Sequence, residues 1–188
     1  MIDAYLEILD AFNPLQKEAR ALIESQITIK DIPKGDFILQ EGSVCNHIYF
    51  LHSGFARQFY YKNGKEITEW FAASKEFCFS IESYFHQTPS KLMIQTLEDS
   101  TVIFLHRDAY MELSKIQSDL SQLAIKMFAE SLVFSQRRME HVLFESAKDR
   151  YVHLLETKPN IIQKVPLAYI ASFLGITQET LSRIRGQL

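Results

Sequence analysis

The stretch from Ile170 to Ile184, Ile-Ala-Ser-Phe-Leu-Gly-Ile-Thr-Gln-Glu-Thr-Leu-Ser-Arg-Ile, constrains this chain more than any other. Apolar residues at Leu167, Ile170, Ala171 and Leu174 recur at intervals of three and four, the period of one helix face. Pro166 suits the first position of that helix, and Gly175 stops it in a left-handed conformation that side chains disfavour. Thr177 then caps a second helix, Gln178 to about Arg185, which buries Leu181 and Ile184. Two helices crossing through a short turn need a small residue at the crossing, a glycine in the turn and an aliphatic residue reaching back. Ala171, Gly175 and Leu181 fill those places. The second helix turns Gln178, Glu179, Ser182, Arg183 and Arg185 outward, a set able to hydrogen-bond base edges and phosphates. Cap, turn and polar face together read as a helix-turn-helix whose partner is double-stranded DNA.

The charge distribution agrees with that partner. The chain carries a formal net charge of -3. The segment Ser146 to Leu188 holds Lys148, Arg150, Lys158, Lys164, Arg183 and Arg185 against Asp149, Glu156 and Glu179, a local +3 on a body of -6. A basic segment on an acidic body fits a DNA-binding part joined to another module, because phosphate neutralisation dominates non-specific affinity. Upstream of the motif, Asp149 to Glu156 is amphipathic, and Ile161 to Val165 reads as a short strand or extended link.

The N-terminal part has a different texture. Ile2 to about Ser25 is helical in period and broken at Asn13-Pro14. From Ile27 to about Leu105 short β-rich runs alternate with turn signals such as Pro33-Lys34-Gly35, Glu41-Gly42 and Ser53-Gly54. Asn63-Gly64 between two apolar runs is the strongest hairpin signal, since both positions tolerate positive φ. Many short strands at regular spacing indicate an antiparallel sandwich or roll.

From Arg107 the pattern is helical again. Ser118-Asp119 offers a cap and an acidic first turn, after which Leu120, Leu123, Ala124, Met127, Ser131, Phe134 and Arg138 follow helical spacing. A second stripe, Ile125, Phe128, Leu132, Met139 and Val142, lies beside the first. Two stripes on one long helix suggest one face on the roll and the other on a second helix; a single wide buried face within a monomer is the alternative. The expectation is a homodimer with Leu120, Leu123, Met127 and Phe134 at its interface.

Taken together, these residues resemble the Crp/Fnr family of regulators. The resemblance rests on Pro33-Lys34-Gly35, Glu41-Gly42 and Ser53-Gly54-Phe55-Ala56-Arg57 in the roll, on the long helix, and above all on Ile170 to Ile184. It implies an α+β chain: a cyclic nucleotide-binding-like antiparallel β-roll with flanking helices over 1-117, a dimerisation helix over 118-145, and a winged helix-turn-helix over 146-188. It also implies that Glu179 accepts from cytosine N4 and Arg183 donates to guanine, with Gln178 where the cyclic AMP-responsive branch has arginine. The chain ends at Leu188 without the final strands many relatives carry. Thr177, Gln178, Glu179, Ser182, Arg183 and Arg185 are the expected DNA-binding residues, and RNA polymerase is a further partner the family brings into view.

In cyclic AMP-binding relatives, Gly-Glu opens a short helix and Arg-Ser or Arg-Thr follows about ten residues later. The corresponding stretch here, Phe79 to Lys91, keeps Glu82 and Ser90 but lacks both the glycine and the arginine. Ile81, Glu82, Ser83, Ser90 and Lys91 are the candidate ligand residues. Lys91 supplies a charge without the arginine fork, so cyclic AMP is not the expected effector. No cofactor, no metal and no enzymatic activity are expected: the six histidines never fall at the His-x-His spacing of a metal-binding β-roll enzyme, and Cys45 and Cys78 lack CxxC spacing. With no run of about 18 apolar residues and an acidic start, the expected location is the cytoplasm, away from membranes. A functional alternative is a ligand-binding roll whose helical tail contacts only proteins.

Overall fold

A computed structural model describes residues 1-187; Leu188, the last residue of the expected C-terminal domain, lies outside the described residues. The chain opens with α1 (Ile2–Phe12) and α2 (Lys17–Gln26), separated at Asn13-Pro14 as the sequence expects. Next come β1 (Ile27–Ile32), β2 (Phe37–Leu39), β3 (His47–Ser53), β4 (Phe55–Lys62), β5 (Lys65–Ala73) and β6 (Phe77–Cys78). A short helix α3 (Ile81–His86), β7 (Met93–Thr96) and β8 (Ser100–His106) complete the roll. The C-terminal helices are α4 (Arg107–Ile116), α5 (Ser118–Phe144), α6 (Ala147–Thr157), α7 (Ile161–Lys164), α8 (Leu167–Leu174) and α9 (Gln178–Arg185).

The strands form two antiparallel four-stranded sheets, ordered β1-β8-β3-β6 and β2-β7-β4-β5. Their facing sides enclose a core that includes Leu39, Cys45, Tyr49, Leu51, Ile94 and Val102. Lys62 pairs with Lys65 around a two-residue loop, and Asn63 and Gly64 adopt φ of 52° and 75°, the twist a tight hairpin demands. β3 and β8 are buried along most of their length because period-2 side chains meet apolar partners on both faces. Tyr49 and Val102 point into the roll, whereas Phe50 and Ile103 pack under the N-terminal helices with Tyr5, Leu9 and Ile23.

That second cluster also claims the start of α5. Leu120 and Leu123 are 0% and 1% exposed within the protomer itself, packed with α1 and α2, and the Tyr110 hydroxyl donates to the Leu120 carbonyl at 2.7 Å. Asp119 accepts from the Gln16 amide at 2.9 Å, and Lys126 donates to the Asn13 side chain at 2.9 Å. The cap of α5 is Gln117, with Ser118 its first helical residue, one position from the sequence expectation. Among the described residues no helix is long and apolar enough to cross a membrane.

Across β3 and β8, His47 faces His106 with ring centroids 5.0 Å apart and lies edge-on to Phe104. Burial first, then the charges of His106 and Lys30, push the His47 imidazole down to about 4. An unfolded histidine titrates near 6.5, so the unfolded chain takes up a proton that the folded chain refuses, and stability falls as pH drops from about 6.5 to about 4. Discounted for the half-exposed ring, the loss should be about 1 to 2 kcal/mol. Denaturant titrations at pH 7 and pH 4.5 should show wild type losing that much more stability than His47→Gln; equal losses would remove His47 as the cause.

Candidate nucleic-acid interface

The C-terminal helices are built by local signals that the sequence shows. Ser146 caps α6 by accepting from the Asp149 amide at 3.2 Å. Gly175 ends α8 with φ of 69°, its N–H donating to the Ser172 carbonyl at 3.1 Å and that of Ile176 to Ala171 at 3.0 Å. Thr177 caps α9 by accepting from the Thr180 amide at 3.2 Å. Ile170, Ala171, Leu174, Leu181 and Ile184 are all buried. Pro166 stands at the cap of α8, one residue before its expected place. The segment expected as strand or link is the short helix α7, and among residues 146-187 there is no strand, so the wing that the family resemblance implies is not part of the described structure.

On α9, Gln178, Glu179, Ser182, Arg183 and Arg185 are exposed together with Thr177. The helix start favours acidic groups, and the Glu179 carboxyl is held below its ordinary range by hydrogen bonds from Thr177 and from its own backbone, with Arg183 adding a smaller pull. It therefore stays an acceptor at neutral pH. Arg183, one turn further along, offers donors to the same side.

The other faces of this unit are engaged by the roll, and here the structure holds residues the sequence reading missed. α8 lies along β5: the Ser172 hydroxyl accepts from the Thr68 amide and donates to the Glu66 carbonyl, both at 2.9 Å. Phe55, Phe71 and Leu97 of the roll share one apolar cluster with Ile170, Phe173, Leu181 and Ile184. Arg57 of β4 is fully buried, its guanidinium 3.8 Å from the Phe59 ring and 3.5 Å from the Tyr169 ring. Lys158 pairs with Glu76 at 2.6 Å and Lys164 with Glu98 at 2.8 Å, so two of the six C-terminal cations face the acidic roll.

The candidate ligand residues divide. Ser83 and Ser90 are buried and structural in their contacts: Ser83 Oγ accepts from the Cys45 amide and donates to the Thr88 carbonyl, while Ser90 Oγ meets Ser80 Oγ and the Leu92 backbone. Ile81, Glu82 and Lys91 are exposed, and all five candidates line a cleft of about 1330 Å³ between the roll and α5. Its aromatic walls meet across it: Phe79 is 6.0 Å from Phe128, and Trp70 is 4.5 Å from Phe134. Among the described residues no group of three or more His, Cys, Asp or Glu is placed to hold a metal ion.

The expected dimer residues are also redistributed. Leu120 and Leu123 are consumed by the protomer's own core, Met127 packs on the same cluster, and Phe134 meets Trp70 edge to face. The first two are therefore unavailable to a partner chain. The uncovered side of α5 carries Ile125, Leu132 and Met139 of the second stripe, each seven residues apart and 60%, 70% and 57% exposed, followed by Leu143, whereas Phe128 of that stripe packs on Phe79 and Phe85.

The chain thus joins a β-roll through the long helix α5 to a helix-turn-helix. Residues 29–117 match the cyclic nucleotide-binding domain family. In three dimensions the chain is similar to FixK2 from Bradyrhizobium japonicum, at 18% identity and a TM-score of 0.74 over 86% of this chain and 84% of that one. It is similar to the catabolite activator protein of Thermus thermophilus at 22% identity and a TM-score of 0.59, over 94% and 85% of the two chains. The c-di-GMP responsive global regulator CLP of Xanthomonas campestris aligns at 13% identity and a TM-score of 0.69, over 92% and 91%. No curated relative matches the chain in sequence. Its architecture is that of the Crp/Fnr regulators, so the resemblance read from the sequence holds at the level of the fold.

Proposed function

We propose that the chain is a sequence-specific, DNA-binding transcription regulator of the Crp/Fnr type, acting as a homodimer in the cytoplasm. The observation that carries this reading is the exposed polar face of α9, capped by Thr177 and presented away from the roll, on a fold shared with regulators of that type. In this reading α9 enters the major groove, Glu179 and Arg183 read base edges, and Arg185 meets phosphate. Lys164 is assigned no phosphate contact, because Glu98 already holds it.

A second copy is the natural cover for the uncovered stripe of α5. Its seven-residue repeat suits a paired helix, and leaving Ile125, Leu132 and Met139 in water would forgo their hydrophobic stabilisation. Pairing would also bring two recognition helices to one operator, each reading half a site.

Cyclic AMP is not proposed as the effector. Ser83 and Ser90 spend their hydrogen bonds within the fold, and Pro89 and Lys91 stand where an arginine fork would neutralise a cyclic phosphate.

Three measurements test these assignments. In titrations with duplexes that wild type selects from a random library, Arg183→Ala should cost ~1 to 3 kcal/mol on the selected site and flatten preference at one base pair. Arg185→Ala should weaken all sequences alike and lower the salt slope by about one; an Arg183→Ala protein with unchanged affinity and preference would remove α9 as the reading helix. In sedimentation at micromolar concentration, Leu132→Glu should convert dimers to monomers that keep the circular dichroism of wild type, and a monomeric wild type would overturn the pairing. Calorimetry should show no saturable cyclic AMP binding below about millimolar concentration, and micromolar binding abolished by Glu82→Ala would refute that expectation.

A further inference from the structure

We propose that Arg57 is a positioning residue for DNA readout: it fixes the helix-turn-helix against the β4–β5 hairpin and thereby sets the distance and angle between the two recognition helices of a dimer. The inference rests on the reading of the chain as a dimeric DNA-binding protein. Arg57 sits in the roll, far along the chain from the motif it faces, and is 0% exposed. One side of its guanidinium lies on Phe59 of its own strand at 3.8 Å, the other on Tyr169 of α8 at 3.5 Å. Nη1 is 2.8 Å from Glu66 Oε2, but its N–H bonds are not aimed at that oxygen, and Nε and Nη2 have no hydrogen-bond partner. The contact with Glu66 is therefore coulombic, and the stacking on Tyr169 completes the enclosure of the charge.

Such an arrangement is a poor source of stability and a good source of orientation. Taking a guanidinium out of water is costly, and an apolar side chain of similar volume often holds a fold as well or better. What the planar cation adds is geometry, because cation–π contact requires the two rings to lie on its faces. The apolar cluster of Phe55, Phe71 and Phe173 favours docking but tolerates sliding, as non-directional contacts do. Arg57, with the Ser172 bridge to β5, selects one register.

The consequence belongs to two-headed binding. A dimer gains avidity only if both recognition helices reach their half-sites together, about 34 Å apart. That gain, on the order of a hundredfold or more, disappears when the geometry is loose or wrong. Arg57 therefore acts on the whole operator without touching it.

The test compares wild type, Arg57→Met, Tyr169→Phe and Tyr169→Ala on three duplexes: the palindrome that wild type selects from a random library, the same palindrome with a few base pairs inserted between its halves, and a single half-site. Hydrogen exchange at the Thr68 amide, which donates to Ser172, reports docking without DNA. Arg57→Met should melt no lower than wild type and bind the half-site equally, yet lose roughly tenfold or more on the palindrome, discriminate less against the lengthened spacer, and exchange Thr68 faster. Tyr169→Ala should share the loss of palindrome affinity, and Tyr169→Phe, which keeps the ring, should behave as wild type. Retained spacing discrimination and Thr68 protection in Arg57→Met would overturn the proposal, as would an equal fall on half-site and palindrome, which signals a folding defect. If wild type selects no duplex, it is the DNA reading that fails, and unchanged Thr68 exchange in Arg57→Met would then overturn the latch separately.

Discussion

The contact on which this structure depends is the apolar cluster shared by the roll and the helix-turn-helix. Phe55, Phe71 and Leu97 come from strands or their flanks, whereas Tyr151, Leu154, Ile161, Ile170, Phe173, Leu181 and Ile184 come from the last four helices. A segment of about forty residues is too small to bury an adequate core alone. Here it borrows one side of its core from the roll. Directional contacts then fix the orientation: Ser172 on β5, Arg138 donating to the Phe173 carbonyl at 2.8 Å, and Arg150 donating to the Leu174 carbonyl at 3.0 Å. Both arginines satisfy carbonyls near the end of α8 that the helix itself leaves unpaired.

The same α5 that carries the uncovered stripe also closes the cleft, so cleft, α5 and helix-turn-helix are physically contiguous. Phe128 meets Phe79 and Phe85, and Phe134 meets Trp70. One turn beyond, Arg138 lines the cleft and stacks on Phe173 of α8 at 3.8 Å. Burial lowers the Arg138 guanidinium from its ordinary range, with Glu69 opposing that effect. A change in how α5 sits on the roll would thus be felt at the first helix of the motif through direct contact.

What the sequence makes legible is what local rules decide. The break at Pro14, the Asn63-Gly64 hairpin, the stop at Gly175 and the cap at Thr177 each need only a few neighbouring residues, and each is found in place. The two stripes of α5 are legible as stripes, but which one is covered depends on where α1 and α2 return, a contact made more than a hundred residues apart in the chain. Burial of Leu120 and Leu123 in their own protomer could not be read from periodicity. The short α3 and the two-residue β6 are too brief to leave a pattern. The surplus of positive charge after Ser146 is real, yet part of it serves Glu76 and Glu98 of the roll instead of phosphate. Composition counts charges without saying whom they face.

β5 is the last strand of its sheet, paired to β4 on one side only. The groups that an outer strand leaves open at Glu66 and Thr68 are met by the Ser172 hydroxyl, and the helix behind that hydroxyl lies over the strand. An outer strand with unpaired amides and carbonyls is a template on which other chains can add, and natural sheets guard against this with charges, bulges or a covering segment. In this chain the covering segment is the helix-turn-helix itself. A roll cut free after α5, or one whose helix-turn-helix has swung away, would present that edge bare. The piece of polypeptide that forms the helix-turn-helix thus also shields the sheet, and its displacement would be accompanied by a tendency to self-associate through β5.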